Sequence, residues 1–390
     1  MNKNAKICFI ATISKSLEWF VADTAKYLFE QGFKNITFIA NMDDDFINKN
    51  SCYAHCIHLD YKRGANLKSF FRSIKETKRV FKKEQFDLIY YLTPNASFYA
   101  SYAGKKCRIP HRVYSQCGIM YVSKKGLKRA IFKIIEKKTC SFSTEIRSQS
   151  PLNMEYALKE KLTKPSKIKV LGIGGTTGVD LKYCDSFNHE EMNTQLRDTL
   201  GIPLNSFVFG YVGRLNPDKG SNELIEAFNR LIQRHSNVYL IHVGMVDESN
   251  MIKKQNYDEY ISNNNIIKIG NVPPNSVYEY MSMMDALVHP TYREGFGKVL
   301  QEAMGMSLPI ITTNVIGPKE VVEKDISGIL VEAKNSFDLE KAMEQVLLDQ
   351  ELRTKLSKNG RVRAETYFER KKMIQNIYED LKAIMGDNDD

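Results

Sequence analysis

Short apolar segments alternate with amphipathic helical segments along this chain of 390 residues. In the first quarter, strand patterns at residues 7–11, 35–40 and 86–92 are separated by helical patterns at 17–31 and 67–83. Such alternation predicts a parallel sheet with helices on both of its faces. Ligands of these sheets bind beyond the carboxyl ends of the strands. We therefore expect the functional residues in the loops that follow strands.

The length of the chain is sufficient for two such domains with separate cores. We place the first domain at residues 1–185 and the second at 200–365, with connecting residues up to about 203. The second domain opens with an apolar strand at 207–212. A long amphipathic helix at 366–386 ends the chain.

The stretch from residue 289 to 311, HPTYREGFGKVLQEAMGMSLPII, contains two carboxylates in an E-x7-E arrangement, Glu294 and Glu302. Glycines lie between them, and a helical pattern begins near Gly297. The N-terminus of a helix attracts anions, because its backbone N–H groups are unpaired and its dipole is positive there. Carboxylates accept hydrogen bonds from sugar hydroxyls. These residues predict a site for a diphosphate with sugars on either side.

A second segment follows the strand at 207–212. It contains Gly213, Arg214 and Lys219 just before a helical pattern at 221–234. Arginine suits bidentate phosphate contacts, and lysine supplies a compact positive charge. Cations near a helix N-terminus are unfavourable unless an anion compensates them. Their placement therefore favours a bound phosphate.

Together the two segments resemble the donor site of retaining glycosyltransferases of family 4 (glycosyl transferases group 1), and the chain is similar to bacterial members that build surface polysaccharides and lipid-linked glycans. The E-x7-E pair, the EGFG and QEAM strings and a G-R-x4-K-G element carry the resemblance over residues 208–331. The remainder agrees by pattern alone. The resemblance implies the GT-B architecture, in which two doubly wound parallel-sheet domains face each other across a cleft, with the C-terminal helix packing back on the first domain.

The resemblance also implies a role for each residue of the donor site. Glu294, Arg214 and Lys219 would be the catalytic residues, with both cations on the diphosphate and Glu294 on the transferred sugar. Glu302 would hold the ribose hydroxyls. The remaining donor-binding positions are those that contribute mainly backbone groups: Gly213, Asn271, Val272, Gly295, Phe296, Gly297, Lys298 and Val299.

The activity implied is transfer of a hexose or N-acetylhexosamine from a nucleotide diphosphate sugar, with UDP expected, to a sugar hydroxyl. The anomeric configuration would be retained, without a metal or another cofactor. The expected acceptor is a sugar on a polyprenyl diphosphate, in assembly of a capsule, an O-antigen or a similar polysaccharide. Two alternatives stay open: a UDP-sugar epimerase-like GT-B enzyme, and a non-catalytic nucleotide-sugar-binding protein.

The acceptor side is less defined by the sequence. The first loop, around Ser14, lacks the glycine pair common in family 4. Many family members carry a histidine near the end of the strand that here spans 112–121, where this chain has Gln116 or Cys117, with His111 several residues earlier. Ser14, His111 and Gln116 are the candidates on this side, and the base is His111, Gln116 or neither.

Positive charge is concentrated in the first domain. Between Tyr61 and Val170 there are 26 Lys and Arg against 7 Asp and Glu, an excess of 19, whereas the whole chain carries +10. Such asymmetry indicates an anionic partner. No nucleic-acid-binding signature accompanies it, so an anionic membrane surface or a lipid diphosphate is expected, with a solvated basic surface that has no specific partner as the alternative. A basic amphipathic helix at 123–138 would either rest on that membrane or bury its apolar side in the core.

Neither a signal peptide nor a membrane-spanning run is evident, so we expect a cytoplasmic protein bound peripherally to the inner face of the plasma membrane. The seven scattered cysteines fit reduced thiols. Two other groups resemble metal motifs: Asp43 to Asp45, and the cluster Cys52, His55, Cys56 and His58. An acidic turn and a strand edge explain them better, and no metal site is predicted.

Overall fold

The computed structural model describes residues 3–62, 67–123, 125–175, 177–187 and 190–386. Lys124, Thr176, Asn188 and His189, which fall within predicted segments, lie outside the described residues. The chain forms two compact units, residues 1–177 with 371–390, and residues 178–370. The division lies at residue 177, where the sequence placed it at 185.

Strands and helices alternate through the first unit, as predicted. Its elements are β1 (Ile7–Ile13), α1 (Ser14–Phe20), α2 (Ala22–Glu30), β2 (Ile36–Asn41), α3 (Asp44–Asn50), β3 (His55–His58), α4 (Leu67–Glu84), β4 (Leu88–Tyr91), α5 (Pro94–Lys106), β5 (His111–Gln116), α6 (Gly126–Phe142), β6 (Glu145–Ser148), α7 (Pro151–Lys159) and β7 (Ile168–Val170). The seven strands are parallel and lie in the order β3-β2-β1-β4-β5-β6-β7.

Both faces of this sheet are buried. Along β1, Ile7 and Phe9 belong to one hydrophobic layer, whereas Cys8 and Ile10 belong to the other. Successive strand residues point to opposite faces, so a continuous apolar run such as ICFIA feeds two layers of helices. This is the doubly wound arrangement that the alternation of elements predicts.

The second unit repeats the pattern. Its elements are α8 (Leu181–Asp185), α9 (Glu190–Thr199), β8 (Phe207–Val212), α10 (Ser221–Arg234), β9 (Val238–Val243), α11 (Lys254–Ser262), β10 (Ile266–Gly270), α12 (Val277–Met281), β11 (Ala286–His289), α13 (Lys298–Gly305), β12 (Ile310–Thr313), α14 (Pro318–Val321), β13 (Ile329–Val331), α15 (Ser336–Leu348) and α16 (Gln350–Arg363). Its six parallel strands lie in the order β10-β9-β8-β11-β12-β13.

The predicted connection up to residue 203 is helical. Asp180 caps α8 by accepting a hydrogen bond from the backbone N–H of Tyr183 at 3.1 Å. Cys184 of α8 is buried beside Gly305 of α13. Because α8 packs in the second unit, the first unit ends before it.

The two sheets share one topology, since each begins in its middle, extends to one side and then returns to extend to the other. The reversal falls between β1 and β4 in the first unit and between β8 and β11 in the second. Helical crossovers leave in opposite directions at such a point, which opens a crevice at the carboxyl ends of the two strands. The predicted fold class, two doubly wound parallel-sheet domains, is confirmed.

The last described elements are a π-helical turn, Ala364–Phe368, and the helix α17 (Arg370–Met385). Helix α17 packs within the first unit, where Ile377 and Leu381 are buried. The Asp380 carboxylate accepts a hydrogen bond from the Arg147 guanidinium at 2.6 Å, with both side chains almost fully buried. The last helix is therefore part of the core of the first unit.

Candidate donor site

The two motifs of the second unit meet at its topological reversal. Strands β8 and β11 are neighbours, with Gly210 paired to Leu287. This register brings Val212 and His289 to the same edge of the sheet, so the chain segments that follow them emerge side by side. The segment after β8 contains Arg214 and Lys219, and the segment after β11 contains Glu294.

The turn between β8 and α10 places Lys219. Asn216 caps a short 3-10 turn, Pro217–Lys219, by accepting a hydrogen bond from the backbone N–H of Lys219 at 3.0 Å. Gly220 then adopts a φ of +69°. A Cβ atom at Gly220 would overlap the carbonyl oxygen of Pro290. Only glycine permits both this conformation and this close approach, which brings Lys219 against the loop after β11.

Lys219 and Glu294 form an ion pair between Nζ and Oε1, in which each side chain is 21% exposed. His289 donates to the same carboxylate oxygen from Nε2, at 3.2 Å. Burial by itself raises the pKa of Glu294, but the Lys219 ammonium and the His289 hydrogen bond outweigh it and lower that pKa to about 2. Glu294 is therefore a carboxylate at neutral pH, an acceptor of hydrogen bonds and not a proton donor.

His289 is fully buried at the end of β11. Since the Glu294 carboxylate only accepts hydrogen bonds, the proton of neutral His289 lies on Nε2. Its Nδ1 atom has no hydrogen-bond partner among the described residues. The pKa of His289 is lowered on balance. Burial is the largest cause, the hydrogen bond to Glu294 opposes it, and the nearby Lys219 charge reinforces it. No role for His289 was predicted from the sequence, although this histidine ends the strand that leads to Glu294.

Arg214 is more exposed, at 58% of its side chain, and pairs with Asp247 at 2.7 Å. Two buried aromatic residues support its turn from below. Tyr211 donates from its hydroxyl to the carbonyl oxygen of Arg214 at 2.7 Å, and His242 donates from Nε2 to the carbonyl oxygen of Gly213 at 2.9 Å. Neither Asp247 nor His242 belongs to a motif, so neither was predicted from the sequence.

Helix α13 begins directly after the glycine-rich loop, as predicted. Gly297 precedes it with a φ of +82° and, as a glycine, supplies no side-chain cap to its N-terminus. The first N–H groups, at Lys298 and Val299, lie at the positive end of the helix dipole and suit an anion. Phe296 is buried and packs edge-on to Phe368, with ring centroids 5.9 Å apart, which anchors the loop.

Glu302 lies within α13, where Lys298 and the Tyr278 hydroxyl each contact Oε1 at 3.4 Å. Asn271 and Val272 follow β10, with Asn271 exposed and Val272 partly exposed. The structure thus brings Lys219 into contact with Glu294 and Lys298 into contact with Glu302. It does not pair Arg214 with either glutamate. The ligand roles of all these residues stay predictions.

The three acceptor-side candidates do not come together in the first unit. Ser14, just after β1, donates to the Asp43 carboxylate at 2.7 Å. Gln116, at the end of β5, is buried and donates from Nε2 to Glu136 at 2.7 Å. His111 is the first residue of β5, paired with Leu88 at the start of β4. It therefore lies at the amino edge of the sheet, away from the edge where ligands of such sheets bind.

The two metal-like motifs have other structural roles. Asp43 caps α3 by accepting a hydrogen bond from the backbone N–H of Phe46 at 2.9 Å. His55 to His58 form β3, the edge strand of the first sheet. No cluster of three or more potential metal ligands occurs within the part of the chain that the structure describes.

Two parallel sheets with this strand order, each reversing at its middle, form a pair of doubly wound domains of the GT-B type. HepE of Anabaena, solved in complex with UDP and glucose, superimposes on the chain with a TM-score of 0.79 at 21% identity, covering 97% of this chain and 99% of that one.

Family comparisons identify the chain further. The family model Glycosyl transferases group 1 matches residues 192–363, and the model Glycosyl transferase 4-like matches residues 6–150. The capsular polysaccharide biosynthesis glycosyltransferase CapM of Staphylococcus aureus is 30% identical over 386 residues, covering 98% of this chain and 97% of CapM. The chain belongs to the glycosyl transferases group 1 family.

Another relative acts on a lipid-linked sugar. The UDP-Gal:alpha-D-GlcNAc-diphosphoundecaprenol alpha-1,3-galactosyltransferase of Escherichia coli is 25% identical over 327 residues, 82% of each chain. The predicted likeness to bacterial enzymes of surface-polysaccharide synthesis is therefore confirmed.

Among the described helices, none combines the length and the apolar content that a membrane span requires.

Proposed function

We propose that this glycosyltransferase moves a hexose or N-acetylhexosamine from a UDP-sugar to a sugar hydroxyl on a polyprenyl-diphosphate-linked acceptor, with retention of configuration. The contact between Lys219 and Glu294 carries the proposal. In a nucleotide sugar, the β-phosphate is bonded directly to the sugar. The group that binds the phosphate and the group that binds the sugar must therefore be adjacent, as a lysine and a carboxylate are here.

The other groups extend this arrangement to both ends of the donor. Arg214 and the N-terminus of α13 would supply further positive charge to the diphosphate. Glu302 would accept hydrogen bonds from the ribose, and the backbone at Asn271 and Val272 would contact the base. Lys219 is held by Glu294 and the N-terminus of α13 is part of the fold, so both would be in place to stabilise the charge that develops on the leaving phosphate.

In the proposed step, the bond between the anomeric carbon and the β-phosphate oxygen breaks, and a bond from that carbon to the acceptor oxygen forms on the same face. The acceptor's hydroxyl proton passes to the departing phosphate oxygen, which leaves a nucleoside diphosphate. Glu294 orients the sugar and does not attack it. Since protein cations would balance the leaving group's charge, we expect transfer to continue when divalent metals are chelated.

The acceptor and the cellular site complete the proposal. The relation to CapM and to the undecaprenol-linked galactosyltransferase supports an acceptor in capsule or O-antigen-type assembly. The positive first unit supports work on an anionic membrane surface. A peripheral position on the cytoplasmic face would give access to both the nucleotide sugar and the lipid acceptor.

The first test is binding and slow hydrolysis of a panel of nucleotide sugars. Wild type, Glu294→Ala and Arg214→Ala are compared, with Glu351→Ala, an exposed carboxylate of α16, as the control. We expect one UDP-sugar to bind and release UDP, with both effects lost in the two site variants and kept in the control. Binding without release calls for a lipid-linked acceptor in the assay. If wild type binds no nucleotide at all, the proposal is wrong.

A further inference from the structure

Helix α6 of the first unit carries an apolar stripe that faces solvent. Leu127, Ile131 and Ile134 are 77%, 48% and 60% exposed, and Ala130 among them is exposed as well. At this spacing the side chains lie on one side of the first turns of the helix. The sequence left open whether these residues face the core, and the structure turns them outward.

Contacts on the opposite side of α6 fix this orientation. The buried carboxylate of Glu136 accepts hydrogen bonds from the Tyr114 hydroxyl at 3.1 Å and from Gln116 Nε2 at 2.7 Å. Thr139 and Cys140 are buried on the same side. Turning the stripe inward would expose these residues and break the hydrogen bonds to β5, so the outward position belongs to the folded state.

Lysines border the stripe. Lys125 and Lys128 lie at its start, and Lys137 and Lys138 lie beyond its end, all of them exposed. Helix α6 carries five basic side chains and one acidic side chain, the buried Glu136. The solvent side of the helix is therefore aliphatic at its centre and cationic around it.

The neighbouring surface has the same character. Phe70 of α4 packs against Phe98 of α5, and Phe98 packs against Phe142 of α6, so the three helices cover one side of the sheet. Helix α4 has seven basic residues against two acidic ones, and its Phe71 is exposed. The positive charge of this unit thus continues beside the stripe.

We propose that α6 lies on an anionic lipid bilayer, with Leu127, Ile131 and Ile134 among the upper acyl chains and the bordering lysines against headgroup phosphates. A few aliphatic side chains are a small surface for a protein partner, which needs about 800 Å² on each side. Peripheral membrane binding instead combines a short apolar insertion with basic residues, the two features that α6 presents together.

This inference deepens the proposed function and rests on it, because a polyprenyl-linked acceptor is held in a lipid bilayer and would bring the enzyme to that bilayer. Flotation of the full chain with vesicles tests it, using phosphatidylglycerol mixed with phosphatidylcholine, and phosphatidylcholine alone. The variants are the double substitution Leu127→Ser/Ile134→Ser and the double substitution Lys137→Glu/Lys138→Glu. The control is Leu204→Ser/Leu348→Ser, which removes two exposed leucines of the second unit.

We expect wild type and the control to float with the anionic vesicles and to be released by salt. Each α6 variant should reduce the recovered fraction by about tenfold, while its thermal unfolding stays unchanged because the substituted side chains are exposed. The inference is overturned if the α6 variants float like wild type, or if neutral vesicles bind as well as anionic ones. It is also overturned if wild type does not float and instead forms a dimer that Leu127→Ser/Ile134→Ser abolishes.

Transfer to an acceptor dispersed in detergent separates this inference from the proposed function. The α6 variants should keep wild-type transfer there, because no bilayer is needed. If wild type floats with anionic vesicles but transfers no sugar to any acceptor, the proposed function fails while the membrane contact of α6 stands.

Discussion

Glu294 shows how one carboxylate is kept charged in a mostly buried place. Its Oε1 atom receives both Lys219 and His289, so the contacts that outweigh the cost of burial come from two segments of the second unit. A buried charge is tolerated when it is paired and hydrogen-bonded. Removing either Lys219 or Glu294 should therefore leave the other without its counter-charge. The contribution of this ion pair to the free energy of unfolding can then be measured.

A double-mutant cycle on Lys219→Met and Glu294→Gln should reveal this dependence. Each single substitution leaves a partly buried group without its counter-charge, so the double variant should be more stable than the sum of the single losses implies. We expect a coupling free energy of about 1–3 kcal/mol in urea denaturation. The control cycle uses the exposed pair Arg293 and Asp218, where coupling should stay below about 1 kcal/mol. Equal coupling in both cycles would contradict the prediction.

His289 should make stability depend on pH. Burial is the largest influence on the pKa of His289 and lowers it below the ordinary value of 6.5. Below that value the unfolded chain binds a proton that the folded chain does not, so this contribution is present above about pH 6.5 and is lost as pH falls. Between about pH 7.5 and about pH 5.5, thermal stability should therefore fall more in wild type than in His289→Gln.

His242 serves as an internal reference for that measurement. Its pKa is also lowered by burial, so it adds a pH dependence of the same sign to both proteins. The difference between wild type and His289→Gln then reports His289 alone. An identical fall in melting temperature would show that His289 takes up its proton as readily in the folded protein as in the unfolded chain.

At the scale of elements, the turn from β8 to α10 determines where Lys219 lies. It combines the Asn216 cap, the left-handed conformation of Gly220 and the contact with Pro290. The left-handed conformation of Gly220 and its contact with Pro290 each add a separate loss of stability when a larger residue replaces the glycine. A second glycine of the same unit allows them to be separated, since Gly201 has a φ of +67° and its potential Cβ has no atom of another described segment within 4 Å.

Gly201→Ala should cost about 1 kcal/mol, the strain of a left-handed alanine. Gly220→Ala adds an overlap with the backbone oxygen of Pro290 and should cost about 3 kcal/mol or more. It should also weaken donor binding, because the overlap is relieved by moving Lys219 away from Glu294. Urea denaturation and nucleotide-sugar titration measure the two effects. Similar losses in both variants would mean that the contact with Pro290 is not tight.

At the scale of the whole chain, α17 ties the C-terminus to the first unit. Asp380 contacts Lys169 at 2.5 Å as well as Arg147, which joins the helix to β6 and β7. Breaking a buried ion pair from one side leaves an unpaired charge. The first unit should therefore depend on the last residues of the chain for its stability.

Asp380→Ala should destabilise the protein by about 3 kcal/mol, because the buried Arg147 guanidinium loses its buried counter-charge and keeps only its contact with the partly exposed Glu145. Glu379→Ala changes the neighbouring exposed carboxylate of the same helix and should stay within about 0.5 kcal/mol of wild type. Denaturant unfolding of the full chain measures both. A small effect of Asp380→Ala would show that Glu145 is sufficient to balance the Arg147 charge.

Much of the fold could be predicted because periodicity is a local property. The strand at 207–212, the strand ending at His289 and the helix after Gly297 are each encoded by a few consecutive residues, and the structure contains all three. Motif spacing likewise predicted a common site for Lys219 and Glu294, and the structure brings these two side chains into contact. The prediction of a connecting segment up to residue 203 was wrong, because this segment contains the helices α8 and α9. Both are short and stabilised by tertiary contacts.

What the chain does with these elements depends on contacts between distant segments. The strand order brought Lys219 to Glu294, gave Glu294 its buried neighbour His289 and put His111 at the amino edge of the first sheet. For α6, an amphipathic pattern specifies two different faces but not which one meets the core. The hydrogen bonds of Glu136 to β5 decided that. Local patterns in the sequence were sufficient to predict most elements, the family resemblance and the donor motifs. Neighbours and exposure came from tertiary packing, because both depend on residues far apart in the chain.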